Sequence, residues 1–255
     1  MCLHRARNLH GEASVLFHDQ RTQGEFRSVT GIPQKRFEII PLAHRSDLIR
    51  TWLLIQHGGV WADPTVYFNQ PMDDWLPELL QPSGLFMFHR PGRDREISNW
   101  FIAAMPGHPI LVRLFHRLCE FWSRTEFRNV GRENTLLERQ VFRVVNRNRW
   151  APRIWTWPWV THSARLFPYM IYHYIFYDVI STDENLRGLW RLTPKVSADG
   201  PHKLLRMGLA SPSCSAAIRL LEEPVAPVYK LKWKIEENAL SDGSIIQALH
   251  KQTYS

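Results

Sequence analysis

The sequence predicts an α/β fold in which a mixed sheet is flanked by helices. Three observations carry that reading. Helix-like and strand-like segments alternate along the 255 residues, as α/β folds do. The long helical pattern that ends at His57 is closed by the pair Gly58-Gly59 before a short apolar run. No stretch is rich enough in Pro, Gly or Ser to act as a linker, so residues 1–255 are expected to form one domain.

Taken in order, Cys2 to His10 reads as a helix stopped by Gly11, and Ser14 to His18 as a strand; "TGIPQ" is a loop. From Ser46, a good N-cap, Leu48, Ile49, Trp52, Leu53 and Ile55 repeat at helical spacing. "VWAD" (60–63) is a short buried strand that Pro64 should end, because proline donates no ladder hydrogen bond. "TVYF" resumes extended structure, and "GLFMFHR" and "SNWFIAAM" are two further strands, the second closed by the turn "PGHP". Helices are expected over Ile110 to Phe127 and Asn134 to Asn146. An aromatic loop starting at Arg153 then runs into a helix near Pro168. "APVYKLKWK" is strand-like, and "DGSIIQALHKQ" is a last helix capped by Asp242 or Ser244.

Composition narrows the function classes. A hydrophobic content of 44% and eleven tryptophans belong to a folded protein, with the rings serving either a core or stacking surfaces. The net charge of +8 favours anionic partners. The charge is scattered, however, and no nucleic-acid-binding signature is present, so nucleic acid is not expected. Three cysteines, Cys2, Cys119 and Cys214, form neither a disulfide framework nor a metal-ligand spacing and suggest a reducing compartment. The start lacks a signal-peptide pattern, and the most apolar stretch, Leu166 to Ile180, is too short to span a bilayer. A cytoplasmic protein, or one peripheral on the cytoplasmic face of a membrane, is expected.

The segment "HRSDLIRTWLLIQHGGVWADPT" holds the candidate chemistry. Asp47 and Arg50 lie three apart on one helical side, with Asp47 expected in the first turn, where a carboxylate suits the helix dipole. A surface ion pair would look the same. Asp63 falls at the end of a strand, where open α/β sheets bind ligands, and a carboxylate there suits Mg²⁺ or Mn²⁺. A turn aspartate beside Pro64 is the plainer alternative. Gly58 and Gly59 permit close backbone approach. The histidines show no metal-pair spacing, and neither a nucleophile elbow nor a phosphate-cradling glycine loop occurs.

"HRSDLIRTWLLIQHGGVWADPTVYFNQPM" resembles the sugar-nucleotide-binding core of glycosyltransferases with a DXD motif, and is most similar to the capsular polysaccharide synthesis protein family. "SNWFIAAMPGHPIL", "FPYMIYHYIFYDVI" and "PVYKLKWK" resemble its later blocks, so the resemblance runs from Asn8 to Gln247. It implies a GT-A-like fold and transfer of a sugar from a nucleotide-sugar donor, expected to be a UDP-sugar, to a glycan acceptor. By position, Asp63 would hold Mn²⁺ or Mg²⁺ against the donor diphosphate. Asp47 would accept hydrogen bonds from donor hydroxyls, and Arg50 would contact sugar or phosphate. Thr65 stands where other DXD families carry a second acid. Lys230, Lys232 and Trp233 would close over the diphosphate, unless the lysines only guard a sheet edge. Asn99 and Trp100 would line the acceptor side, or else cap and fill the core. By the resemblance, family members open with a strand, and this chain is expected to start in the helix that follows it, either because the start codon is misassigned or because the strand is absent. A non-catalytic glycan- or nucleotide-binding protein derived from such an enzyme is the alternative.

Overall fold

A computed structural model describes the chain except residues 13–14, 16–25, 27–28, 125, 129–133, 210–214, 233–242 and 255. In chain order the elements are α1 (Cys2–His10), α2 (Gln34–Ile39), α3 (Leu42–His57), β1 (Gly59–Ala62), β2 (Val66–Phe68), α4 (Leu76–Leu80), β3 (Leu85–Gly92), β4 (Arg95–Ala104), α5 (Pro109–Arg124) and α6 (Leu136–Val145). There follow α7 (Ala151–Trp155), α8 (Ile171–Thr182), α9 (Glu184–Leu192), α10 (Lys203–Met207), α11 (Ser215–Glu222), β5 (Val228–Lys230) and α12 (Ile245–Tyr254). The fold is α/β, but among the described residues two small sheets stand where one mixed sheet was expected. The expected strand over Ser14 to His18 falls largely outside the described residues, as do Trp233, Asp242 and Cys214.

The contacts divide the chain into two units. The larger comprises His18–Trp61 and Leu80–Val196. Its sheet has the order β1-β4-β3, with β3 and β4 antiparallel and Leu85 opposite Ala104. Apolar residues of α3, α5 and α8 pack with those strands into one core, in which Leu48, Leu85, Leu114, Tyr172 and Phe176 are fully buried. α3 begins at Leu42 behind Pro41, a turn earlier than Ser46. Ser46 therefore caps nothing and instead accepts a hydrogen bond from Arg50 on its Oγ. α6 has the capping box that its sequence spells, Thr135 with Glu138. The expected aromatic loop is partly helical, with α7 and a π-helical turn at Trp159–Ala164. α9, capped by Asp183, was not anticipated, although Asp-Glu-Asn-Leu is a readable helix start.

Gly58 shows what the glycine pair does. It ends α3 at φ 65°, and a Cβ there would lie 2.6 Å from Pro106 Cδ and 2.9 Å from the Ala104 carbonyl oxygen. The close approach is thus to the end of β4. Gly59, at φ 83°, has no atom within 4 Å of a notional Cβ. Gly58→Ala is expected to cost more than about 2 kcal/mol, from left-handed strain plus a clash with backbone. Gly59→Ala should cost the strain alone. Urea unfolding of both variants checks the order.

The smaller unit comprises Met1–Phe17, Ala62–Leu79 and Ser197–Ser255. β2 and β5 pair antiparallel in the register Val66 to Lys230, Tyr67 to Tyr229 and Phe68 to Val228. Tyr67, Leu204, Tyr229, Ile246 and Leu249 form its core. The Tyr229 hydroxyl donates to the Leu220 carbonyl at 2.7 Å, which satisfies a polar tip inside an apolar cluster. α12 starts as expected, with Ser244 Oγ accepting from the Gln247 amide. Among the described residues no helix is long and apolar enough to cross a membrane.

Candidate functional site

The expected site residues fall into two groups, one in each unit. In the larger unit Asp47 lies in the second turn of α3, so the helix dipole does not hold it; neighbouring side chains do. Asn99 Nδ2 donates to its Oδ1 at 2.9 Å, Arg50 Nη2 lies 3.5 Å from the same oxygen, and His44 Nδ1 is 3.3 Å from Oδ2. Arg50 donates to the Ser46 carbonyl from Nε at 3.2 Å and to the Asn99 carbonyl from Nη1. Its guanidinium lies over the ring of Trp61 at 5.1 Å. Asp47 and Arg50 are each only 5% exposed. A surface ion pair is therefore not what these residues form: they are the hub of a buried polar network.

Burial alone would raise the Asp47 pKa. The Arg50 guanidinium, first, and the His44 hydrogen bond outweigh it and hold the carboxyl below its ordinary range. His173 is pushed down to about 3, chiefly by burial and then by Arg95. His89, half-buried, is pushed down to about 4 by burial, Lys195 and Arg90. Both imidazoles are neutral when folded, while unfolded histidine titrates near 6.5. The unfolded chain therefore binds more protons below that value, and stability is expected to fall as pH drops from about 6.5 through about 4. Asp47 adds to the loss below the ordinary carboxylate range. Unfolding free energy measured against pH should show this slope, and His173→Gln should flatten it.

Trp100, expected to line an acceptor surface, is a core ring stacked on Phe88 at 5.1 Å and 16°. Asn99 beside it reaches Asp47 because successive residues of a strand point to opposite faces. His44 was missed by sequence reasoning, which looked for histidine pairs. Its signal was its place three residues before Asp47 on the same helix.

In the smaller unit Asp63 opens a turn after β1. The Val66 amide donates to the Asp63 carbonyl at 2.9 Å, with Pro64 at the position where its fixed φ suits a turn. Lys230 Nζ donates to Asp63 Oδ2 at 2.9 Å and to Thr65 Oγ1 at 2.5 Å. The sheet register brings this about: Lys230 lies opposite Val66, and the Leu231 amide donates to the Thr65 carbonyl at 2.8 Å. Lys232, two residues on, is exposed, and Trp233 lies outside the described residues.

Among the described residues, the donor set at Asp63 includes its carboxylate and the Thr65 hydroxyl, and the Lys230 ammonium bonds both. No group of three or more His, Cys, Asp or Glu able to hold a metal occurs among the described residues. Among these described groups a divalent ion would compete with the ammonium for the same oxygens.

A family model described as capsular polysaccharide synthesis protein matches residues 1–128. The chain belongs to that family. The match spans Asp47, Arg50, Asp63, Thr65 and Asn99, so it holds the candidate residues of the first group and, of the second, Asp63 and Thr65 but not Lys230. The chain is also 29% identical over 122 residues to a Saccharomyces cerevisiae (strain ATCC 204508 / S288c) protein described as "Putative glycosyltransferase HOC1". That alignment covers 42% of this chain and 31% of the relative, so the family member described here spans under a third of the relative's length. No solved structure matches.

Proposed function

We propose that this capsular polysaccharide synthesis family member is a GT-A-type glycosyltransferase, moving a sugar from a nucleotide-sugar donor, in our reading a UDP-sugar, to a glycan acceptor. The observation that carries the reading is the Asp63–Thr65–Lys230 cluster at the end of the Gly-Gly-x-Trp-x-Asp run. Family membership and the name of the yeast relative support it. As the bond from the sugar to the diphosphate breaks, negative charge grows on the leaving phosphates. An ammonium fixed in advance by a carboxylate and a hydroxyl stabilises that charge without having to reorganise. Lys230 supplies the cation in this reading. The Mn²⁺ or Mg²⁺ expected from the resemblance would have to displace it. Asp47 acts as a positioning residue for Arg50 and Asn99.

The test is hydrolysis of a panel of UDP-sugars without acceptor, together with calorimetry of UDP, each with excess chelator and with added Mn²⁺. UDP binding and hydrolysis that persist in chelator are expected. Activity seen only with Mn²⁺ would restore the metal to the site. A second reading, a non-catalytic nucleotide- or glycan-binding protein, is favoured by one observation: Thr65 brings no second acid. UDP binding without turnover of any donor would select it.

A further inference from the structure

The segment from Leu136 to Trp159 exposes both apolar and cationic side chains. In α6, Leu137, Val141 and Val144 form a stripe at spacings of four and three residues and are 75%, 45% and 70% exposed. The opposite side of the same helix buries Phe142, which meets Trp155 of α7 edge to face at 4.8 Å. The helix therefore has its core contact already, and the stripe is a second apolar face. Beyond it Trp150, Trp157 and Trp159 are 47%, 58% and 59% exposed, and the last two rings lie 6.0 Å apart.

The charge on this segment is predominantly positive. Arg139, Arg143, Arg147, Arg149 and Arg153 are all exposed. The one acid, Glu138, is engaged in the capping box with Thr135. Arg149 and Arg153 both lie over the Trp150 ring, at 5.6 and 5.1 Å. Exposed apolar stripes rimmed by polar groups mark interaction surfaces. Tryptophan with arginine beside an aliphatic helix face is the composition that settles at the headgroup level of an anionic bilayer.

We propose that residues 136–159 seat this protein on an anionic lipid surface, with the α6 stripe and the exposed tryptophans in the headgroup region and the arginines against lipid phosphates. The test is co-sedimentation of the full chain with vesicles of phosphatidylcholine alone or with a third phosphatidylglycerol. Binding is expected to the anionic vesicles only, weakening at high salt. The paired changes Val141→Ser with Val144→Ser, and Trp157→Ala with Trp159→Ala, should each lower partitioning by about tenfold or more, because binding scales with buried apolar area. Circular dichroism would verify that these exposed-site variants stay folded. Failure of the folded wild type to bind anionic vesicles would overturn the proposal. So would equal binding to neutral ones, or self-association in gel filtration that the same variants abolish.

Discussion

Lys230→Ala is expected to cost donor turnover two to three orders of magnitude while leaving the fold intact. The ammonium bonds both Asp63 and Thr65. Removing one preorganised stabiliser of transition-state charge typically costs about 10²–10³ in rate. Affinity for UDP should fall by roughly tenfold or more, since a charge-assisted hydrogen bond to phosphate is worth about 1.5–3 kcal/mol. Thermal stability should barely move, because the side chains of Lys230 and Asp63 are partly exposed, at 17% and 24%, and such pairs contribute little. Lys232→Ala, at an exposed position, is the control and should have a small effect. Asp63→Asn separates the two cation readings. With Lys230 as the cation, the amide oxygen still accepts from the ammonium, so turnover drops less than in Lys230→Ala and chelator makes no difference. With a metal, Asp63→Asn is the harsher change and Mn²⁺ dependence disappears with it. Wild-type turnover in Lys230→Ala would remove the lysine from the chemistry.

Arg50→Ala should produce the largest loss of stability, about 3–5 kcal/mol, which is the usual cost of breaking a buried ion pair from one side. The change strands the Asp47 carboxylate, which is 5% exposed, and also removes donors to the Ser46 and Asn99 carbonyls. Asp47→Asn should cost less, because an amide can still meet Asn99 and His44. The double variant Asp47→Asn with Arg50→Ala should fall short of the sum of its parts, since the two side chains share one network. Denaturant unfolding of the three proteins measures the coupling. If Arg50→Ala lies within about 1 kcal/mol of wild type, the network is not what holds this part of the larger unit together.

Much of this was legible in the chain because it rests on short-range rules. Helical spacing from Leu48 to Ile55, the positive-φ stop at Gly58 and the turn-setting Pro64 act within a few residues, and each stands where the sequence puts it. Asp63 at the end of a strand follows from those rules alone. What the sequence did not disclose depends on partners brought from far along the chain. Asp47 looks like a first-turn surface acid until Asn99, 52 residues later, closes over it. Trp100 could serve a surface or a core, and its stacking on Phe88 decides. Lys230 is one of several lysines until the β2–β5 register sets it 167 residues away on Asp63. Periodicity and turn chemistry are local and so are written in the sequence. Burial and charge pairing are set by which distant segments meet, and only the tertiary structure decides that.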